Sequence, residues 1–147
     1  MACYIFGAGG FYGLPQRPAA GDTVIAADTV VCLSGEILGK PHDFAEASNM
    51  LHRLSGRMHT VFTGVAVRRS GQILVRAEKT DVYFRTLPDE YIERYVESGE
   101  PLDKAGAYGI QGVGGAFVRR IEGDFYNVMG LPLCTLCQML EEIGAQA

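Results

Sequence analysis

Residues 21–33 read GDTVIAADTVVCL, and the fold turns on what this run is. From Val24 to Leu33 it is apolar apart from Asp28 and Thr29, and rich in β-branched residues. That pattern predicts a strand covered on both faces. An ionisable Asp28 in such a strand is costly, because a carboxylate taken out of water without a partner loses on the order of several kcal/mol. Asp28 therefore either pairs with a buried donor or is delivered to a place where an acid does chemistry.

Outward from this strand, helix and strand signals alternate. LSGEIL (33–38) reads as a tight turn. Asp43 followed by Glu46 is a capping-box-like start, after which Phe44, Ala47, Leu51 and Leu54 form one helical stripe that stops at Gly56. HTVFTGVAV and QILVRAEKTDVYFR are β-rich runs joined by RRSG, a hairpin-like connection. Pro88 starts a second helix with Ile92, Tyr95 and Val96 inward, and SGEP ends it; AFVRRIEG is a further strand. Pro132 opens a last helix, where Leu133, Leu136, Leu140 and Ile143 share one face. The expected fold class is α/β, a mixed sheet with flanking helices, in a single domain over residues 1–147.

A chain of 147 residues with 48% hydrophobic and 20% charged residues has the composition of an ordinary globular domain, not a disordered one. The net charge of −4 argues against a polynucleotide partner, although local lysines can still hold a single anionic nucleotide. No apolar run approaches a membrane span, and the N-terminus lacks the basic region of a secretory signal. The expectations are no membrane association and a cytoplasmic location. Cys3, Cys32, Cys134 and Cys137 do not suggest a disulfide framework.

Several stretches invite a chemical reading. GAGGFYG resembles a dinucleotide fingerprint, but its third glycine would fall at Tyr12, and the prolines of LPQRPAAG forbid the helix that must follow. CTLC supplies half a zinc site with no second half, and its leucine neighbours predict that Cys134 and Cys137 pack as core thiols. A redox role for that pair would require an exposed, acidified thiol. His42, His52 and His59 have no metal-ligand spacing and are expected to be solvated or locally bonded. Lys40, in GKPHD, stands just before a helix N-terminus, where an anion is attracted. SGEPLDKAGAYGIQGVGG is the densest polar and glycine-rich stretch, carrying Glu100, Asp103 and Lys104. Its glycines allow close backbone approach, and Gln111 offers both a donor and an acceptor, suited to the edge of a pyrimidine base.

Taken together and in order, AADTVV, LGKP, LSGRMHTVFTGVAV, SGEPLDKAGAYGIQG and GDFYNVMGLP resemble the Maf family of nucleotide pyrophosphatases, from about Asp22 to the C-terminal helix. The resemblance implies a fold like that of the inosine-triphosphate pyrophosphatases, with a nucleotide cleft between two lobes. It implies hydrolysis of a nucleoside triphosphate to the monophosphate and pyrophosphate, with dTTP and UTP as substrates by the wording YGIQ. Asp28 matches the family's proton acceptor beside a Mg²⁺ or Mn²⁺ ion, and Lys40 matches its phosphate-holding lysine. Thr29 and Gln111 match positions that tune nucleotide choice, while Glu100 and Asp103 are the further metal or water ligands it suggests.

The family's opening Ser-x-Ser-Pro-Arg-Arg loop and Lys-Ala helix are not found in residues 1–21, where only Arg17 of PQRP echoes them. An N-terminally incomplete fold, weak turnover and exposed apolar surface that favours a homodimer are the expectations. The alternative function is a nucleotide-binding or dimerising remnant without turnover.

Overall fold

In the computed structural model, which describes residues 3–7, 10–11 and 19–145, seven strands form one sheet. They are β1 (Cys3–Gly7), β2 (Gly10–Phe11), β3 (Thr23–Leu33), β4 (Glu36–Leu38), β5 (Met58–Arg69), β6 (Gln72–Phe84) and β7 (Val118–Glu122). Their order is β2-β1-β3-β5-β6-β7, with β4 also on β3. Only β1 and β3 run parallel; every other pair is antiparallel. The expected mixed sheet is present. Arg17, PQRP and most of GAGGFYG lie outside the described residues, so the readings placed on them have no structural counterpart.

The tight turns follow from local chemistry. Ser34-Gly35 and Ser70-Gly71 are two-residue connections with positive φ at both positions (51° and 83°, 46° and 81°), the hairpin geometry whose twist matches the flanking strands. The first helix, α1 (Phe44–Leu54), starts as its sequence predicts: the Glu46 N–H donates to Asp43 Oδ1 at 2.7 Å, and the His42 N–H donates to Glu46 Oε2 at 2.7 Å. It buries Ala47, Met50, Leu51 and Leu54, while Phe44, expected in that stripe, is half exposed. Then come α2 (Asp89–Glu97), a short α3 (Phe125–Met129) and α4 (Leu133–Glu142).

All the packed helices lie on one face of the sheet. Ile25, Val31 and Leu33 of β3, Val61, Val65 and Val67 of β5, and Val82 and Phe84 of β6 point to that face and are buried. Towards one end they form a core with α1 and α2, and towards the other a smaller core with Leu136, Met139 and Leu140 of α4. The even-numbered residues of β3 point the other way, and Ala26 and Asp28 are exposed. The expectation of a strand covered on both faces is thus corrected. Side chains alternate along a strand, and among the described residues no helix packs on the second face.

The expectation for the last helix holds at Leu136, Leu140 and Ile143 and is corrected at Leu133 and the two cysteines. Leu136, Met139 and Leu140 face β5 and β6, which turns Leu133, Cys134 and Cys137 to solvent. Cys134 and Cys137 are free surface thiols, not core residues. No helix among the described residues is long and apolar enough to cross a membrane.

Candidate functional site

β3 changes partners midway. β1 pairs with Thr23–Ala26 and β4 with Val31–Leu33, both on the edge opposite β5, so residues 27–30 have a free edge among the described residues. Thr29 and Asp28 sit in that notch. The Thr29 N–H donates to Asp28 Oδ1 at 2.9 Å, and this is the only hydrogen bond of the Asp28 carboxylate among the described residues.

On the helix-bearing side of the notch is a cavity of about 350 Å³, large enough for a pyrimidine ring and its sugar. Its floor is Ala27, Thr29 and Val31 of β3 and Val61 of β5. Lys40, Asp103, Lys104 and Gln111 supply its polar rim, and Val128, Met129 and Gly130 close the far wall. Four of the expected residues, Thr29, Lys40, Gln111 and Asp103, are therefore brought together. Asp28 and Glu100 are not among the lining residues.

The resemblance makes Asp28 the proton acceptor of the nucleotide cleft. It is the sixth residue of an eleven-residue strand, exposed on the face opposite Thr29, because neighbouring strand residues alternate. Its carboxylate reaches the notch beside the cavity, not the cavity floor. Lys40 lines the cavity, and Asp43 and Glu46 cap α1 without it. Lys104 Nζ donates to Asp103 Oδ1 at 2.8 Å and to the Glu100 carbonyl at 3.1 Å. That hydrogen bond, helped by the charges of Lys104 and Lys40, holds the Asp103 carboxyl below its ordinary range.

The rim is shaped by three 3₁₀ turns, Glu100–Asp103, Ala105–Ala107 and Val113–Phe117. Gly106, at φ 71°, brings the second onto β3; a Cβ there would lie 3.0 Å from both Val31 methyl carbons. The Gly106 N–H donates to the Gly39 carbonyl at 3.1 Å, tying this turn to the segment that carries Lys40. Buried Tyr95 anchors the stretch around Gln111. Its hydroxyl accepts the Gly109 N–H at 3.1 Å and donates to Glu100 Oε1 at 3.0 Å. Burial pushes the Tyr95 pKa up, and the neighbouring Glu100 carboxylate adds to this. Glu100, expected near a metal, is thus a buttress behind the loop.

Tyr108 lines the cavity and bonds to His59 Nε2 at 2.7 Å. His59, expected to be solvated or locally bonded, is 1% exposed and edge-on to Phe84 and Tyr108. Thr63 and Asn127, both fully buried, stand behind Thr29. Sequence reasoning singled out neither Thr63 nor Asn127, although HTVFTGVAV and GDFYNVMGLP carry them inside the matching motifs.

Among the described residues no three His, Cys, Asp or Glu side chains gather as a metal site. Asp28 is on the other face of β3, Glu100 is held by Tyr95, and Asp103 is paired with Lys104. The three carboxylates expected to hold Mg²⁺ or Mn²⁺ do not form a ligand set.

The sequence profile of the Maf-like proteins matches residues 12–143. This chain belongs to the Maf family. It is 53% identical over 132 residues to a dTTP/UTP pyrophosphatase of Chromobacterium violaceum, an alignment covering 90% of this chain and 64% of that protein. It is 56% identical over 124 residues to a dTTP/UTP pyrophosphatase of Symbiobacterium thermophilum, covering 84% of this chain and 64% of that protein. A Bacillus velezensis protein of the same name is 48% identical over 134 residues, covering 91% and 70%. The Maf chain described here thus spans just under two thirds of the length of the first two relatives.

Proposed function

We propose that this Maf chain is a nucleoside triphosphate pyrophosphatase acting on dTTP and UTP. One observation carries the reading: Lys40 and Lys104 share a cavity with Thr29 and Gln111, next to the strand notch that bears Asp28. Two ammonium groups suit a triphosphate, and an amide and a hydroxyl against an apolar wall suit a base. The names of the relatives add support for the nucleotide and the reaction.

In the reaction, water attacks the α-phosphorus; an O–P bond forms there and the bond to the bridging oxygen of the β-phosphate breaks. Asp28 takes the proton of the water, and Lys40 and Lys104 stabilise the charge that collects on the departing pyrophosphate. The substrate is the Mg²⁺ or Mn²⁺ complex of the triphosphate, since Mg²⁺ is commonly carried by substrate phosphates and its own waters.

The test is calorimetric titration with α,β-methylene dTTP, which cannot be cleaved at the reacting bond. Lys40→Ala is expected to raise Kd about tenfold or more, the loss of one charge-assisted contact. Equal affinity in parent and variant would remove Lys40 from the phosphate site.

A further inference from the structure

The hydroxyl of Thr29 is wired from behind. Thr29 Oγ1 and Thr63 Oγ1 are 2.8 Å apart, and Thr63 Oγ1 lies 3.0 Å from the backbone carbonyl oxygen of Asn127. A carbonyl oxygen only accepts, so Thr63 spends its single proton on Asn127. The bond between the two hydroxyls must then run from Thr29 to Thr63. The opposite direction would leave two oxygens facing each other at 3.0 Å with no proton between them. Burial prevents water from relieving such a clash, because Thr63 and Asn127 are fully enclosed. The Asn127 side chain, donating to the Val61 carbonyl at 3.2 Å and to Thr80 Oγ1 at 2.9 Å, fixes α3 in place behind the pair.

Thr29 therefore has no proton left for the cavity and presents only lone pairs to it. Gly130 borders the same oxygen; a Cβ on it would be 3.5 Å away. The geometry points to Thr63 as a positioning residue that fixes Thr29 as an acceptor for a hydrogen-bond donor of the nucleoside, the imide N–H of uracil or thymine. This rests on the proposed function and deepens it. The imide N–H is the base-edge donor that thymine and uracil share, whereas cytosine carries a bare acceptor at the same ring position. An acceptor-only hydroxyl also repels phosphate oxygens, which assigns the triphosphate to the lysine end of the cavity. The sugar hydroxyl is the other donor a nucleotide offers.

The experiment measures Kd calorimetrically for the α,β-methylene analogues of UTP and CTP, on the full chain and on Thr63→Val and Thr63→Ser. The parent is expected to favour the uracil analogue by about tenfold or more, the scale of one hydrogen bond gained against one clash. Thr63→Val frees the Thr29 proton, and the preference is expected to shrink about tenfold, chiefly through tighter binding of the cytosine analogue. Thr63→Ser keeps the wiring and is expected to keep the preference. Equal weakening of both analogues in Thr63→Val, or an unchanged ratio, overturns the inference while leaving the proposed function standing. Absence of binding by the parent overturns both. A second measurement needs no variant: the 3-methyluracil analogue is expected to bind at least tenfold more weakly than the uracil analogue. Equal binding of these two, or a loss seen only with a 3′-deoxy analogue, overturns the assignment to the imide.

Discussion

At the scale of single residues, burial and hydrogen-bond direction decide more than residue type. Asp28 and Thr29 are neighbours in one motif, yet the alternation of β3 sends one to the exposed face and the other to the cavity. That separation was not legible in VIAADTVVCL, because apolar residues occupy both phases of the alternation. The Thr29–Thr63–Asn127 wiring was illegible for a different reason, joining positions 34 and 64 residues apart. His59 gives this scale a measurable signature. Burial lowers its pKa from 6.5 to about 4, so the folded protein keeps it neutral while the unfolded chain binds a proton first as pH falls. Its contribution is fully present above about pH 6.5 and is lost progressively as pH falls to about 4, amounting to about 3 kcal/mol. Urea unfolding between pH 7 and 4.5 is expected to show a steeper loss of stability in the parent than in His59→Gln. Parallel profiles would contradict the buried neutral imidazole.

At the scale of elements, much of the fold was legible because the signals are local. The Asp43–Glu46 capping box, the two Ser-Gly hairpins and the Pro88 and Pro132 helix starts are all present where the sequence put them. The apolar face of α4 was legible at Leu136, Leu140 and Ile143, but Leu133 and the two cysteines were misread, since leucines and cysteines mingle over the helix and only contact with β5 and β6 selects which are buried. The loop that carries Gln111 depends on close packing that its glycines announce without saying what comes close. At Gly114 a Cβ would meet the Gly109 carbonyl oxygen at 2.7 Å and Tyr95 Oη at 2.8 Å. Gly114→Ala must therefore push backbone aside or break the hydrogen bonds of the Tyr95 hydroxyl. It is expected to cost about 1–3 kcal/mol in thermal unfolding and to weaken binding of α,β-methylene dTTP. Full stability together with parental affinity would show that the loop is not held by this contact.

At the scale of the whole molecule, one face of the sheet carries α1, α2 and α4 together with the cavity. The other bears Asp28 along with exposed Phe62, Ile73 and Val75. Phe62, Ile73 and Val75 leave apolar surface exposed on this second face among the described residues. The notch at residues 27–30 joins the two faces, and in the proposed function the Asp28 carboxylate acts through it on a nucleotide held in the cavity. Product analysis with dTTP tests that arrangement directly. Parent and Asp28→Asn are each incubated with dTTP and Mg²⁺, and dTMP, dTDP, pyrophosphate and phosphate are resolved. The account predicts dTMP and pyrophosphate in equal amounts from the parent, and a rate about a hundredfold or more lower in Asp28→Asn at unchanged melting temperature. Binding of dTTP without pyrophosphate release, formation of dTDP and phosphate, or parental turnover by Asp28→Asn would contradict it.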